Sequence, residues 1–300
     1  MIYFKLLLTA FFWGGTFIAG RLLASGVDPQ AAAFLRFGIA SLFLLAYTIR
    51  AEGRLPLPRK NQVIPVVLLG LTGVFAYNIL FFTGLKYIHA GRAALIIATN
   101  PVLISLLSAL FFKESLNWIK SIGICMSVVG AMVVISHGNL TDVAEYHFGF
   151  GELMIIGCVV SWVSYSLIGK IVMRGLSPLV SVTYSALVGT ILLAIPALGS
   201  GLVEDIGRYG ATEWASLFYL GFFGTVLGFF WYYQGIERIG PMRASVFINF
   251  VPISAILLSA TLLGETITPS LLIGAALVIS GVYCTNASNS ISRFLRRMRS

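Results

Sequence analysis

Ten apolar runs follow one another along this chain with only short polar breaks, each about as long as a bilayer's hydrocarbon core is thick. They fall at about 3–22, 29–49, 63–85, 91–112, 117–136, 150–171, 178–199, 213–233, 241–263 and 268–286. A core roughly 30 Å thick is crossed by about 20 helical residues rising about 1.5 Å each. Within it every backbone N–H and C=O needs a partner from the chain, which leaves helices and closed barrels. The runs are continuous rather than alternating, so the pattern predicts an all-α integral membrane protein with about ten transmembrane helices. Charge agrees: 10% of the 300 residues are Asp, Glu, Lys or Arg, against about 25% in a soluble domain. So few charges cannot cover a water-facing surface.

The formal charge of +9 does not point to nucleic acid, because the basic residues sit in short clusters between apolar runs. With the N-terminus inside, the inner segments hold fourteen: Arg50, Arg54, Arg59, Lys60, Lys113, Lys120, Lys170, Arg174, Arg238, Arg243, Arg293, Arg296, Arg297 and Arg299. The outer segments hold four, Arg21, Lys86, Arg92 and Arg208, beside the acidic Asp142, Glu145, Glu204 and Asp205. That bias predicts a multi-pass protein of the plasma (inner) membrane with both termini cytoplasmic. The stretch 3–22 is long enough to span and is followed by further spans, so it reads as a helix rather than a cleaved signal. Cys125, Cys158 and Cys284 lie in apolar runs at spacings that suit neither a disulfide framework nor a metal site. No cofactor is expected.

The two halves of the chain align. At an offset of 149, Trp13, Gly20, Arg21 and Pro29 meet Trp162, Gly169, Lys170 and Pro178. At an offset of 151, Gly70, Gly84, Arg92, Ala93, Pro101, Glu114, Gly123 and Gly130 meet Gly221, Gly235, Arg243, Ala244, Pro252, Glu265, Gly274 and Gly281. This predicts a first repeat over 1–137, a linking loop at 138–149, a second repeat over 150–287 and a basic tail at 288–300. Each repeat has five spans, an odd number, so the second enters the membrane from the opposite side. Inverted repeats are common in secondary transporters, which bind solute near the midplane between the halves. Each half can adopt the other's conformation and so expose the site to either side in turn.

Several residues are candidates for that site. Pro101 and Pro252 fall within the fourth and ninth spans, where each frees the carbonyl four residues earlier, at Ile97 and Ile248, and supplies a hinge. Asn100 and Asn249 lie beside them, and a buried amide is costly unless bonded, to solute or to a neighbouring helix. Arg36 is the deepest basic side chain and could hold a substrate carboxylate; the competing reading is a snorkel to the outer interface. Its repeat equivalent is Ser185. The equivalent pair Trp13 and Trp162, together with Tyr77, Phe81 and Tyr165, offers rings for an aromatic or cationic solute. The aromatic run Phe229–Tyr233 reads as interface belt and packing. Glu114 and Glu265, before Ser115 and Thr266, read as structural carboxylates at the N-terminus of the following helix. Gly224 and Gly228, at G-x-x-x-G spacing, favour close packing within the monomer over dimerisation. A monomer or weak homodimer follows, with a small-molecule solute and membrane lipid as partners.

No P-loop is present, and the carboxylates and histidines (His89, His137, His147) lie in loops or near helix ends. This favours a facilitator or exchanger over ATP or proton coupling. No H-E-x-x-H, paired intramembrane aspartates or G-x-S-x-G supports a membrane enzyme, and no filter loop supports a channel.

Two segments, "TNPVLISLLSALFFKESLNWIKSIGICMSVVGAMVV" and "NFVPISAILLSATLLGETITPSLLIGAALVISGVY", share a mid-helix proline, a glutamate thirteen residues later and a glycine-bearing helix. With "FFWGGTFIAGR" and "GLKYIHAGRAAL", they resemble the paired EamA modules of the drug/metabolite transporter superfamily. The resemblance implies ten helices, cytoplasmic termini and export of amino acids or related metabolites, with aromatic amino acid exporters the first subgroup to consider. The alternatives on the same fold are carriers of nucleotide-sugars, phosphorylated sugars or quaternary-amine drugs. A phosphate carrier would want several central basic residues, and Arg36 is the one candidate.

Overall fold

The computed structural model describes residues 1–23, 26–85, 87, 93, 96–136, 149–263 and 269–297, excepting the side chains of 259, 263 and 289–297. The described residues are helical apart from short connections. The spans are α1 (Ile2–Leu23), α2 (Pro29–Glu52), α3 (Lys60–Leu85), α4 (Asn100–Phe112), α5 (Trp118–Ile135), α6 (Phe150–Val172), α7 (Pro178–Gly199), α8 (Ala211–Ile239), α9 (Pro241–Leu263) and α10 (Pro269–Arg297). Nine of them are long and apolar enough to cross a bilayer. The described part of the fourth span, α4, is a shorter apolar helix, and residues 91–92 and 94–95 of that span lie outside the described set. So do the linking residues 137–148, Lys86, Glu265, Thr266 and Arg299.

Local chemistry sets the helix starts. Asp28 caps α2, its carboxylate accepting from the Gln30 and Ala31 N–H groups at 2.8 and 3.3 Å, with Pro29 in the first turn. The equivalent Ser177 and Pro178 repeat the device at α7, where the Ser177 hydroxyl accepts from Val180 N at 3.3 Å. Proline costs nothing there because that N–H has no helical partner. The far end of the chain departs from expectation. No glycine or proline follows Gly281 before Ser300, and α10 runs on to Arg297 instead of giving way to a tail at 288.

Equivalent residues of the two repeats meet across the seam, and this defines the symmetry. Ser41 of α2 and Thr190 of α7 are 149 apart, and their hydroxyls are hydrogen-bonded at 3.0 Å. Seven residues along, Thr48 pairs with Thr183 at 2.7 Å in antiparallel register. Trp13 and Trp162, also equivalent, are in ring contact at 5.4 Å. Between α5 and α10, Gly123 sits against Gly281 and Gly130 against Gly274, contacts that an exchange of repeats converts into one another. A residue touches its own equivalent only beside a two-fold axis, and antiparallel pairing places that axis in the membrane plane. The two five-helix units are therefore inverted with respect to each other, with the axis near the middle of α1, α2, α6 and α7.

Two further features match between repeats. α3 and α8 each contain a π-helical stretch, Gly70–Ala76 and Leu220–Leu227. Such wide turns inside α-helices recur at functional sites. Near the expected proline kinks the α-helical turn gives way to tighter turns. α9 runs as Pro241–Ser245, a 3-10 turn at Val246–Asn249, then Phe250–Leu263. In α4, Asn100 opens the helix after a turn at residues 98–99, with Pro101 in the first turn.

Candidate functional site

The axis passes through an aromatic cluster. Trp162, 7% exposed, is its centre. Its ring lies 5.4 Å from Trp13, 5.7 Å from Tyr77, 5.3 Å from Phe229, 5.5 Å from Tyr232 and 5.4 Å from Tyr165. Phe81 stacks on Tyr77 at 6.0 Å and 10°. α8 closes on α1 because its glycines have no side chain in the way. A Cβ on Gly228 would lie 2.5 Å from Trp13 Nε1 and one on Gly224 2.8 Å from Thr16. The G-x-x-x-G face thus packs inside the monomer and lets Trp13 Nε1 donate to the Gly224 carbonyl at 2.8 Å.

Arg36 lies on one side of this cluster. Its Nε donates to Thr225 Oγ1 at 2.9 Å, and the guanidinium stacks on Phe37 with 5.0 Å to the ring centroid. Thr225 belongs to the π stretch of α8, where its hydroxyl donates to Leu220 O at 3.0 Å, five residues back. That leaves the oxygen's lone pairs for the arginine. The side chain is thus drawn inward to α8 and does not snorkel outward. Five residues separate Arg36 from Ser41 at the axis, about 7.5 Å along the helix. Among the described residues no carboxylate pairs with it, and Tyr77 is within electrostatic reach.

Other candidates are placed differently. The Tyr165 hydroxyl is engaged with Ser185 Oγ at 3.2 Å and its carbonyl accepts from Tyr233 at 2.9 Å, so this ring buttresses Trp162 from behind. Asn100 and Asn249 are both 1% exposed and stand at the breaks of α4 and α9. Asn249 Nδ2 donates to Ser127 Oγ of α5 at 3.0 Å. The Oδ1 atoms of both asparagines, Ser105 Oγ and Ser108 Oγ are buried with no hydrogen-bond partner among the described residues. Buried polar groups are normally satisfied, so these orphans mark positions where water or a solute completes the bonding. Among the described residues no hydrogen bond joins either asparagine to the aromatic cluster.

One expectation is narrowed and one corrected. Of interface belt and packing, the run Phe229–Tyr233 is mostly packing: Phe229, Phe230, Tyr232 and Tyr233 are buried, Tyr232 pairs with Ser166 Oγ at 3.1 Å, and the half-buried Trp231 packs on Phe12. Aromatic composition alone does not separate the two settings. Glu114 does not cap the next helix, whose start is capped by Asn117, accepting from Lys120 N at 2.9 Å. Its carboxylate crosses to the other repeat and lies against Gly240 and the Met242 N–H, at the N-terminus of α9. Burial pushes the Glu114 carboxyl up from its ordinary range, against the opposing pull of Lys170, Lys120, the Met242 N–H and Arg243. Thr225 and Ser166 carry no sequence signal, and Phe229 and Tyr232 were read as belt and packing; the small residues Gly224 and Gly228 beside the aromatic run were the available signal.

The rings at the axis are in mutual contact, so the centre is closed in this conformation. Two cavities among the described residues are peripheral, one of about 50 Å³ beside Asp28 and one of about 240 Å³ beside Arg59 and Arg174.

Antiparallel five-helix units closed over a midplane seam, each with a broken helix and a π-helical turn, have the build of a secondary membrane transporter. The chain belongs to the EamA-like transporter family, whose model matches residues 1–136 and 149–287. It is 30% identical over 293 residues to the uncharacterized transporter YyaM of Bacillus subtilis, covering 98% of this chain and 96% of that one. It is 28% identical over 283 residues to a protein of Streptantibioticus cattleyicolor named a probable terminal-alkyne amino-acid exporter, covering 94% and 92%. One solved crystal structure superposes with a TM-score of 0.77 at 21% identity, covering 95% of this chain and 96% of that chain, which is a likeness of fold.

Proposed function

We propose that this transporter exports amino acids or closely related carboxylate-bearing metabolites by alternating access, without ATP. The observation that carries the reading is Arg36: a basic residue five positions from Ser41 on α2, about 7.5 Å along the helix, its guanidinium bonded to Thr225 beside an aromatic cluster, with no carboxylate partner among the described residues. A charge kept from water is costly unless matched. A solute carboxylate matches it, and Trp13, Trp162, Tyr77 and Phe81 offer the adjoining apolar surface. The name of the Streptantibioticus relative supports the same class of solute. That Arg36 is the one central cation among the described residues argues against phosphorylated sugars and nucleotide-sugars, which carry more charge.

In this reading Pro101 and Pro252 are hinges, Asn100 and Asn249 contact solute or its water at the helix breaks, and Tyr165 holds Trp162 in place. The repeats are the moving units, 1–137 and 150–287. The face bearing both termini is cytoplasmic, in the plasma (inner) membrane, and the working unit is a monomer or weak dimer. Solute moves down its own gradient or in exchange.

The test is counterflow in proteoliposomes, competed with amino acids and with their decarboxylated amines. We expect amino acids to compete and amines to fail, and Arg36→Gln to weaken the amino acids selectively, by roughly tenfold or more for loss of one charge-assisted contact of about 1.5–3 kcal/mol. Amines that compete as well as amino acids, or an Arg36→Gln protein with unchanged KM, would refute it.

A further inference from the structure

The cavity of about 240 Å³ lies away from the aromatic cluster, on the face bearing both termini, between the start of α3 and the end of α6. Its walls include Arg59, Asn61, Gln62, Ile171, Arg174 and Gly175, and no carboxylate is among the lining residues. The two arginines come from different repeats. Gln62 Oε1 accepts from the Arg59 N–H at 2.8 Å, which fixes the amide and turns its Nε2 toward Gly175. A Cβ on Gly175 would collide with that nitrogen, so the glycine keeps this donor in place. The nearby carboxylate of Glu52 is engaged by the Ser177 hydroxyl at 3.0 Å. The result is a pocket of donors and positive charge with nothing negative in its walls.

Its rim has the opposite character. Ile171, at the cavity, is 48% exposed, and Ile64, next to the lining residue Pro65 on α3, is 71% exposed, so both offer apolar surface on spanning helices. A ligand that fits both parts has an anionic head for the arginines and an apolar tail for the isoleucines. Arginine forks match phosphate oxygens in bidentate geometry, and basic pockets between spans on the cytoplasmic side suit anionic headgroups.

We infer that the cleft between Arg59 and Arg174 binds the headgroup of an anionic phospholipid of the inner leaflet, tying α3 of one repeat to α6 of the other. The leaflet follows from the orientation proposed above; the binding itself does not, and holds whichever side the termini face. The test uses the purified full-length protein in neutral detergent, with dioleoyl phosphatidylglycerol or dioleoyl phosphatidylcholine added. Native mass spectrometry counts bound lipid, and the apparent melting temperature reports its effect. We expect phosphatidylglycerol to bind in preference and to stabilise. The double substitution Arg59→Gln/Arg174→Gln should weaken that preference by roughly tenfold, from two charges near the headgroup. A control with equal charge loss on the same face, Arg50→Gln/Arg238→Gln, should keep it. Equal binding of both lipids, or equal loss in the control, overturns the site. Inorganic phosphate and glycerol phosphate are tested alone: protection by either to the same extent as lipid means a soluble anion is the occupant, and the lipid assignment fails.

Discussion

Substituting Gly130 by alanine tests the two-fold packing most directly. A Cβ there would lie 2.7 Å from the Gly274 carbonyl oxygen, 2.8 Å from Leu277 Cβ and 2.8 Å from Val278 N. An ordinary contact needs about 3.4 Å, and two of these atoms are backbone of α10, which cannot swing aside as a rotamer does. The helices must therefore part by about 0.6–0.7 Å along this seam. A gap of that size forfeits a quarter to a half of each affected dispersion contact. In lipid no hydrophobic gain offsets the loss, because acyl chains are as apolar as the side chains. Overpacking of this kind costs about 1–3 kcal/mol, or roughly 4–8 °C in apparent melting temperature for a loss of about 2 kcal/mol. Gly123→Ala meets the Gly281 carbonyl at 2.7 Å and Thr285 N at 2.8 Å, and should cost a similar amount. The double variant should lose less than the two singles together, since helices already parted accept the second methyl more easily. Gly20→Ala, with open space within 4 Å, is the control and should be neutral or gain up to about 1 kcal/mol. Melting of purified protein in one detergent measures all four. If Gly130→Ala melts no lower than Gly20→Ala, the close α5–α10 approach and the symmetry argued from it are wrong.

The remaining predictions concern polar groups. Burial raises the Glu114 carboxyl, so the folded protein binds this proton more tightly than the unfolded one: the folded state is favoured most below the ordinary carboxyl value of 4.5, and that advantage is lost as pH rises through the folded value. Glu114→Gln, which keeps an acceptor for the Met242 N–H, should melt higher than the parent at pH 7, with the gap closing below pH 4.5. Melting scans across that window check it, and a variant that melts lower at pH 7 would show that the ionised carboxylate stabilises. Thr225→Val removes the hydroxyl that holds Arg36 Nε and should cost about 1.5–3 kcal/mol through the unpaired charge, with KM raised and Thr225→Ser restoring both. A valine variant equal to the parent in melting and KM would release Thr225 from any part in placing the arginine.

The spans were readable because a bilayer imposes one length and one composition on every crossing helix; α1, α2, α6 and α7 fall within about three residues of expectation. The repeat was readable because glycines and prolines act locally, so their spacing survives where other residues drift. Pro101 and Pro252 located the breaks in α4 and α9, but the 3-10 turn at Val246–Asn249 leaves no compositional mark. The π stretches leave none either: Leu220–Leu227 reads as ordinary apolar helix. Contacts between repeats were least readable. Nothing near Glu114 in the sequence points to Met242, and Trp13 reaches the Gly224 carbonyl because two glycines let α8 close on α1. Candidate rings could be nominated from the chain, whereas their neighbours depend on how the helices cross.

The symmetry also bears on how export would be driven. What lies on the axis is near-symmetric, Trp13 with Trp162 and Ser41 with Thr190. What lies off it is not: Arg36 has Ser185 as its equivalent, and Thr225 has Val74. The cation therefore sits permanently nearer the face opposite the termini, and a bound carboxylate meets different surroundings as the halves exchange conformations. Such asymmetry can make apparent affinities differ between the two sides. It cannot by itself set a direction of net flow, because around a closed cycle without an external energy source the differences in binding and in conformational equilibrium cancel. Under the facilitator reading, export then requires a higher solute concentration inside. Proteoliposomes with equal solute on both sides and an imposed proton gradient should exchange label without net flux. Sustained net flux under those conditions, abolished by collapsing a proton gradient, would mean that a titratable group couples to the cycle, and Glu114, whose burial keeps its carboxyl easy to protonate, would be the first to substitute.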